Sequence, residues 1–156
     1  MDFLKILTNP VLLIPACSWM IAQVLKVIIN AIMNKKFDLD RLVGDGGMPS
    51  GHSATVTALA VMSGLSKGFD STEFAIAMIF AIVVMHDALG VRRETGKQAV
   101  SIIKIADLLN DFFYEQDEHI KTDKLKVLVG HTPLQVVCGS LLGAAVAIIY
   151  HFIANG

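Results

Sequence analysis

The chain is poor in charge and in cysteine. Only 17% of its 156 residues are charged and its formal net charge is −1, so it lacks the basic excess that nucleic-acid binding requires. Its two cysteines, Cys17 and Cys138, lie in separate apolar runs, which excludes a disulfide framework and indicates small packing residues. Histidines, cysteines and carboxylates do not recur at metal-ligand spacings, so the sequence predicts neither a metal site nor a cofactor. Repeats and low-complexity segments are also absent.

Apolar residues, by contrast, are abundant, and they place the chain in a membrane. Hydrophobic residues make up 54% of the sequence and the mean hydropathy is +0.60, while the length fits a single domain, residues 1–156. The N-terminal region has little of the positive charge of a signal peptide, since Asp2 accompanies Lys5, and its apolar character continues to Met33. We therefore expect an uncleaved first membrane helix in a multi-pass protein of the cell membrane.

Apolar runs of suitable length predict an all-α fold, an integral membrane bundle of four transmembrane helices. The second run is rich in Ala, Ser, Thr and Gly, which favours a helix packed among other helices. After the third run, the pattern is that of an amphipathic interfacial helix whose apolar face includes Val100, Ile103, Leu108 and Phe112. The predicted spans are residues 11–33, 53–69, 73–91 and 133–153, and the predicted interfacial helix is residues 97–114.

The stretch Pro49-Ser50-Gly51-His52 lies between a polar loop and the second predicted helix. A helix N-terminus offers unpaired backbone N–H groups and the positive end of the helix dipole, and both favour anions such as phosphate. Gly51 allows a ligand to approach the backbone closely, Ser50 can donate a hydroxyl hydrogen, and His52 can transfer a proton near neutral pH. The alternative is structural: Ser50 or Ser53 caps the helix, and His52 is a polar neighbour at the membrane edge.

Two further features are open to both structural and functional interpretation. Lys26, inside the first span, must either extend to the membrane surface or face a polar cavity, and a nearby phosphate site favours the cavity. The last span begins with a capping-box pattern, in which Thr132 is the N-cap and Gln135 the third helical residue. Within that span, Gly139 and Gly143 have GxxxG spacing, which suits close packing inside the bundle or in a homodimer.

Four crossings would bring the unusual polar residues to one face of the membrane. Residues 34–52 and 91–132 then share that face, whereas residues 68–72 and both termini lie on the other. Ten lysines and arginines fall in the first two segments and only Lys5 and Lys67 on the other face, so the positive-inside rule predicts that the first face is cytoplasmic. The polar residues that converge there are Arg41, His52, Arg92, Arg93 and His131.

Two histidines and two adjacent arginines on one face indicate phosphate chemistry. One imidazole can attack phosphorus while the other protonates the leaving oxygen, and guanidinium groups suit phosphate oxygens. This combination predicts hydrolysis of a lipid or isoprenoid phosphate through a phosphohistidine. For Arg92 and Arg93 alone, the alternative is a juxtamembrane basic pair that contacts lipid headgroups.

On these motifs the sequence resembles the type 2 phosphatidic acid phosphatases, which are related to vanadium haloperoxidases. It is most similar to the small divergent bacterial and plant branch of that superfamily. Residues Pro49–His52 are identical to the second motif of the superfamily, and Gly130–Gly139 is similar to the end of the third motif. Gly90–Arg93 is similar to a feature of the divergent branch. The resemblance covers most of the chain, from about Gln23 to Gly143.

The resemblance implies a role for each matching residue. His131 would be the nucleophile, His52 the general acid to the leaving alcohol, and Gln135 the residue that contacts the nucleophilic imidazole. The residues implied to bind the phosphate are Lys26, Ser50, Gly51, Arg92 and Arg93.

Three departures from the superfamily pattern keep an alternative open. Met33 stands where the first motif has an arginine, and the arginine pair lies 38 and 39 residues before His131, far upstream of the usual position. Gln135 replaces an aspartate, so the imidazole lacks a charged partner unless Asp45 or Asp87 supplies the charge. The alternative is a catalytically weak or inactive protein that binds or transports a lipid phosphate in the same cradle. A third hypothesis is a structural role through the GxxxG face.

Overall fold

The computed structural model describes residues 3–34, 47–112 and 131–155. These residues are mostly helical, and this described part contains no strand, so the predicted all-α fold is confirmed. The helices are α1 (Phe3–Ile6), α2 (Pro10–Asn34), α3 (Gly51–Lys67), α4 (Thr72–Leu89), α5 (Val91–Phe112) and α6 (Pro133–Asn155).

Three stretches of the described chain are long and apolar enough to cross a bilayer, as an integral membrane helical bundle requires. They are Pro10–Ile32, Thr72–Asn110 and Pro133–Asn155. With only 17 residues, α3 is shorter than these three. It packs against α2, α4 and α6, which agrees with the close packing that its small residues predicted.

Small apolar residues on two sides of α3 allow the neighbouring helices to approach closely. One buried cluster joins α3 to α2 and α6, and a second joins it to α4. The first contains Ile14, Ala58, Met62 and Ala147, and the second contains Val56, Ala60, Ala77 and Ala81. The bundle is therefore organised around α3, and the Pro49–His52 motif spans the start of this helix.

Large apolar side chains cover the outer surfaces of α2, α4 and α6. Met20, Ile79 and Leu141 are 59%, 62% and 66% exposed, respectively. A soluble domain rarely exposes so much contiguous apolar surface, whereas a membrane helix presents it to lipid chains.

The boundary between α4 and α5 differs from the one predicted. Gly90 separates the two helices, and α5 begins at Val91, so Arg92 and Arg93 lie in its first turn rather than in a connecting loop. The Glu94 N–H donates to the Gly90 carbonyl at 3.0 Å, which starts the helix at this point. Of the residues in the predicted apolar face of α5, Val100 and Leu108 are exposed and Ile103 is half-buried; Ile102, Ile105 and Leu109 are exposed as well.

Candidate functional site

The first turn of α3 is formed by a capping serine. Ser50 is fully buried, and its Oγ accepts a hydrogen bond from the Ser53 backbone N–H at 3.3 Å and lies 3.0 Å from Ser53 Oγ. The N-cap role that the sequence left open is therefore present. Capping uses the hydroxyl as an acceptor, so Ser50 keeps a hydrogen that can be donated to a phosphate oxygen.

The start of α6 has the predicted capping box. The Thr132 N–H donates to Gln135 Oε1 at 3.1 Å, and the Gln135 N–H donates to Thr132 Oγ1 at 3.4 Å. Pro133 is the first helical residue, where its missing N–H costs no intrahelical hydrogen bond. Both halves of the box are made, so this prediction is confirmed.

His131 directly precedes this capping box and is buried, with 2% of its surface exposed. Its Nδ1 lies 3.2 Å from Gln135 Oε1. The amide oxygen already accepts the Thr132 N–H, which fixes the orientation of the amide and leaves an oxygen facing the ring. Nδ1 must then carry the proton in the neutral imidazole, so the lone pair lies on Nε2, the nitrogen available as a nucleophile.

His52 and His131 meet at one end of the bundle, as the sequence predicted. Their ring centroids are 5.9 Å apart with an interplanar angle of 64°, although the two residues are 79 positions apart in the chain. His52 is half-buried in the first turn of α3. Within the described residues, no three His, Cys, Asp or Glu side chains are grouped as a metal site requires.

Lys26 lies beside the start of α3 instead of extending to the membrane surface. It is 4% exposed, and its methylenes lie 3.7 Å from the position that a Cβ on Gly47 would occupy. Its Nζ lies 3.7 Å from the corresponding position on Gly51. Lys26 is therefore buried beside the start of α3, where the helix N-terminus favours an anion.

The two helix starts are held together by backbone contact. The Ser50 N–H donates to the Gln135 carbonyl at 2.9 Å, which links the first turn of α3 to that of α6. A Cβ on Gly139 would overlap the Ser50 carbonyl oxygen, and one on Gly143 would overlap the Ala54 carbonyl oxygen. The GxxxG face is therefore occupied by α3 inside the bundle, and a homodimer would need another surface.

The end of α4 joins the same region. The His131 N–H donates to the Ala88 carbonyl at 3.2 Å, so the last turn of α4 lies next to the start of α6. Arg92 and Arg93 follow Ala88 by four and five residues in the chain, in the first turn of α5. Asp87 is half-buried in the last turn of α4. The side chains of Arg92 and Arg93, and residues Arg41 and Asp45, lie outside what the structure describes.

Comparison with known proteins now identifies the family. The family model described as the Divergent PAP2 family matches residues 7–146, nearly the whole chain. The chain belongs to the Divergent PAP2 family. A related member is YuiD of Bacillus subtilis (strain 168), an uncharacterized membrane protein that is 41% identical over 152 residues, covering 94% of this chain and 96% of YuiD. No solved structure shows a significant match to the chain.

In this Divergent PAP2 protein, two residues near the site were not predicted to contribute to it. A Cβ on Gly51 would lie 3.2 Å from Trp19 Cδ1, so the indole ring contacts the start of α3. Gln23 is 7% exposed, and its Oε1 is buried without a hydrogen-bond partner among the described residues. The spacing of Trp19, Gln23 and Lys26 places all three on one face of α2, which is the signal that could have found them.

Proposed function

We propose that this protein is a membrane phosphatase that hydrolyses a lipid or isoprenoid phosphate, as a monoester or pyrophosphate, through a phosphohistidine intermediate. The observation that carries the proposal is the 5.9 Å separation of the His52 and His131 rings at the adjoining starts of α3 and α6. A nucleophile and a general acid must both reach one phosphoryl group, and each reaches about 3 Å. Membership of the Divergent PAP2 family supports the same chemistry.

In the first step His131 attacks the phosphorus atom of the substrate. A bond forms between Nε2 and phosphorus, the ester P–O bond breaks, and protonated His52 gives its proton to the leaving oxygen, which departs as the alcohol. The contact between Nδ1 and Gln135 Oε1 supports this role of Nε2, because it keeps the ring proton on the other nitrogen.

In the second step water attacks the phosphohistidine. His52, now neutral, accepts a proton from the water, the N–P bond breaks, and inorganic phosphate leaves. His131 returns to its neutral form and His52 to its protonated form, so each cycle consumes one ester and one water molecule and yields one alcohol and one phosphate. The cycle requires no metal ion or cofactor.

The phosphate-binding role is assigned to the residues around the start of α3. Lys26 supplies a positive charge beside Gly51, and the Gly51 N–H lies at the positive end of the helix dipole. Ser50 contributes its hydroxyl hydrogen. We assign Arg92 and Arg93, in the first turn of α5, to the same anion because guanidinium groups suit phosphate oxygens.

The test is phosphate release by the purified protein from a panel of lipid and isoprenoid phosphates. We expect wild-type activity that vanadate inhibits and a chelator leaves unchanged, and loss of at least about a hundredfold in His52→Ala and His131→Ala, as for general acid–base groups. His151→Ala is the matched control, because His151 lies near the opposite end of α6. Absence of phosphate release from every substrate, beside an active reference phosphatase, would refute the proposal.

Trapping of the intermediate separates the two histidines. His52→Ala should still be phosphorylated by an aryl phosphate, because a good leaving group needs no proton. The protein should then retain an acid-labile phosphoryl group that His131→Ala does not acquire. A phosphoryl group of equal yield in His131→Ala would contradict the assignment of the nucleophile.

The second candidate function is binding or transport of a lipid phosphate without efficient turnover. Gln135 favours it, because a neutral amide cannot stabilise the cationic imidazole of the transition state as a carboxylate does. Binding of a lipid phosphate by both wild type and His131→Ala, with no turnover by either, would select this candidate.

A further inference from the structure

Trp19 is the single tryptophan of the chain, and it lies at the edge of the candidate phosphate site. Its Cδ1 and Nε1 are 3.2 Å and 3.5 Å from the position that a Cβ on Gly51 would occupy. The Lys26 Nζ lies 3.7 Å from that same position. The indole ring and the ammonium group therefore lie beside one point of the backbone, where the phosphate is proposed to bind.

The same indole ring is also part of the outer surface of the bundle. Trp19 is 46% exposed, and Leu12, 52% exposed, and Ala16, also exposed, lie on the same side of α2, two turns and one turn away. These three residues belong to an apolar span, Pro10–Ile32, so this side of α2 is one that lipid chains can reach. Trp19 thus connects the phosphate site to the lipid-facing surface.

Membrane anchoring does not account for Trp19 at this position. Tryptophan is enriched at the two interfaces of a bilayer, where its ring lies among the headgroups. Trp19 lies nine residues after Pro10 and thirteen before Ile32, or ~14 Å and ~20 Å from the ends of the apolar span. Its depth and its contact with the start of α3 both favour a role at the site.

We infer that Trp19 binds the hydrocarbon chain of the substrate next to its phosphate, and that the chain lies along the Leu12, Ala16 and Trp19 side of α2. The substrate then reaches the site sideways from the bilayer, and its class is a phosphate ester of a long membrane-embedded chain. This inference rests on the proposed function, since it extends from the same phosphate site.

Quenching of the single tryptophan tests the inference directly. The probes are two long-chain alkyl phosphonates, which are not hydrolysed, with bromine atoms either next to the phosphonate or at the far end of the chain. Added to the purified full-length protein, the first probe should cause a saturable loss of Trp19 emission that the unbrominated phosphonate reverses, and the second a smaller loss. Equal quenching by both probes, or quenching that competition does not reverse, would overturn the inference.

Kinetics provide the second measurement. Trp19→Ala should raise the KM for a long-chain phosphate about fivefold or more relative to the change for a short-chain phosphate, as loss of an aromatic contact implies. Phe80→Ala is the matched control, because Phe80 is a lipid-exposed aromatic residue of α4 that is 51% exposed. Equal changes in KM for the two substrates would also overturn the inference.

The two proposals fail in distinguishable ways. If wild type releases phosphate while the quenching is equal for both probes, the phosphatase function stands and the role of Trp19 is rejected. If wild type releases no phosphate from any substrate, the phosphatase function is rejected, and the quenching experiment still decides whether Trp19 contacts the chain of a bound lipid phosphate.

Discussion

Gln135 is the residue whose chemistry matters most for the candidate site. Its amide oxygen accepts the Thr132 N–H at 3.1 Å and lies 3.2 Å from His131 Nδ1. It therefore fixes the imidazole tautomer, as an aspartate would, but it cannot offer a negative charge. In the serine-protease triad, the aspartate has a second role, because its negative charge stabilises the imidazolium that forms during catalysis. Because Gln135 lacks this negative charge, catalysis by His131 should be slow.

Gln135→Glu should therefore raise kcat for a lipid phosphate by about tenfold or more. The carboxylate can still accept from His131 Nδ1 and from the Thr132 N–H, and its charge also stabilises the imidazolium. Gln135→Leu should lower kcat, since the ring loses the acceptor that orients it. Thr132→Ala is the control for the lost cap: it should lower the free energy of unfolding by about 1 kcal/mol with a smaller effect on kcat. An unchanged kcat in both Gln135 variants would mean that this amide does not assist the chemistry.

Single residues of the site were predictable where a motif or a helix start marked them. His52 and His131 each lie at the start of an apolar helix, and the number of crossings placed both starts on one face. Trp19 was not predictable in this way, because a tryptophan in an apolar helix is ordinarily a lipid-facing residue. Its contact depends on how deeply the start of α3 lies beside α2, which no local pattern encodes.

At the level of elements, the site depends on how closely α3 and α6 approach. Glycines at positions 139 and 143 allow the carbonyl oxygens of Ser50 and Ala54 to lie against the α6 backbone. This approach permits the hydrogen bond from the Ser50 N–H to the Gln135 carbonyl, which aligns the two histidine-bearing helix starts. The sequence predicted the spacing but not its partner, since GxxxG serves intramolecular and intermolecular packing alike.

Gly139→Ala should therefore destabilise the protein although alanine is the better helix former. On a lipid-facing surface the change would be favourable by about 1 kcal/mol, whereas overpacking against backbone costs about 1–3 kcal/mol. We expect a lower melting temperature in detergent and a larger loss of activity than the stability change explains, because the helix starts separate. Ala145→Val, which enlarges an exposed position of α6, is the control and should leave both nearly unchanged. A melting temperature raised by Gly139→Ala would contradict this packing.

The start of α5 shows where prediction of elements fails. The sequence predicts a connection outside any helix for the charged residues after Gly90, yet they form the first turn of α5. Charged residues are compatible with an exposed helix, and Glu94 and Lys97 form an ion pair of 2.6 Å there, with both side chains 60% exposed. Only Gly90 interrupts the chain between α4 and α5, so the boundary lies at that glycine and not at the change in polarity.

At the scale of the whole molecule, three helix ends meet at one side of the bundle. One hydrogen bond joins the start of α3 to the first turn of α6. A second joins His131, just before α6, to Ala88 at the end of α4. The sequence segments 34–52 and 91–132, which four crossings would assign to this side, contain ten of the thirteen lysines and arginines. From this asymmetry the positive-inside rule predicts that the candidate site faces the cytoplasm.

This orientation can be tested with two single-cysteine variants in a background where Cys17 and Cys138 are replaced by alanine. Asp70→Cys lies in the exposed turn between α3 and α4, and Lys97→Cys lies on the exposed side of α5, beyond the opposite end of α4. A membrane-impermeant maleimide should label position 70 in intact cells, but position 97 only after the cells are permeabilised. The reverse pattern would place the histidine pair on the outer face, where the substrate pool is the outer leaflet. Labelling of both positions from outside would mean that α4 does not cross the bilayer, and the charge asymmetry would then need another cause, such as binding of anionic lipid headgroups.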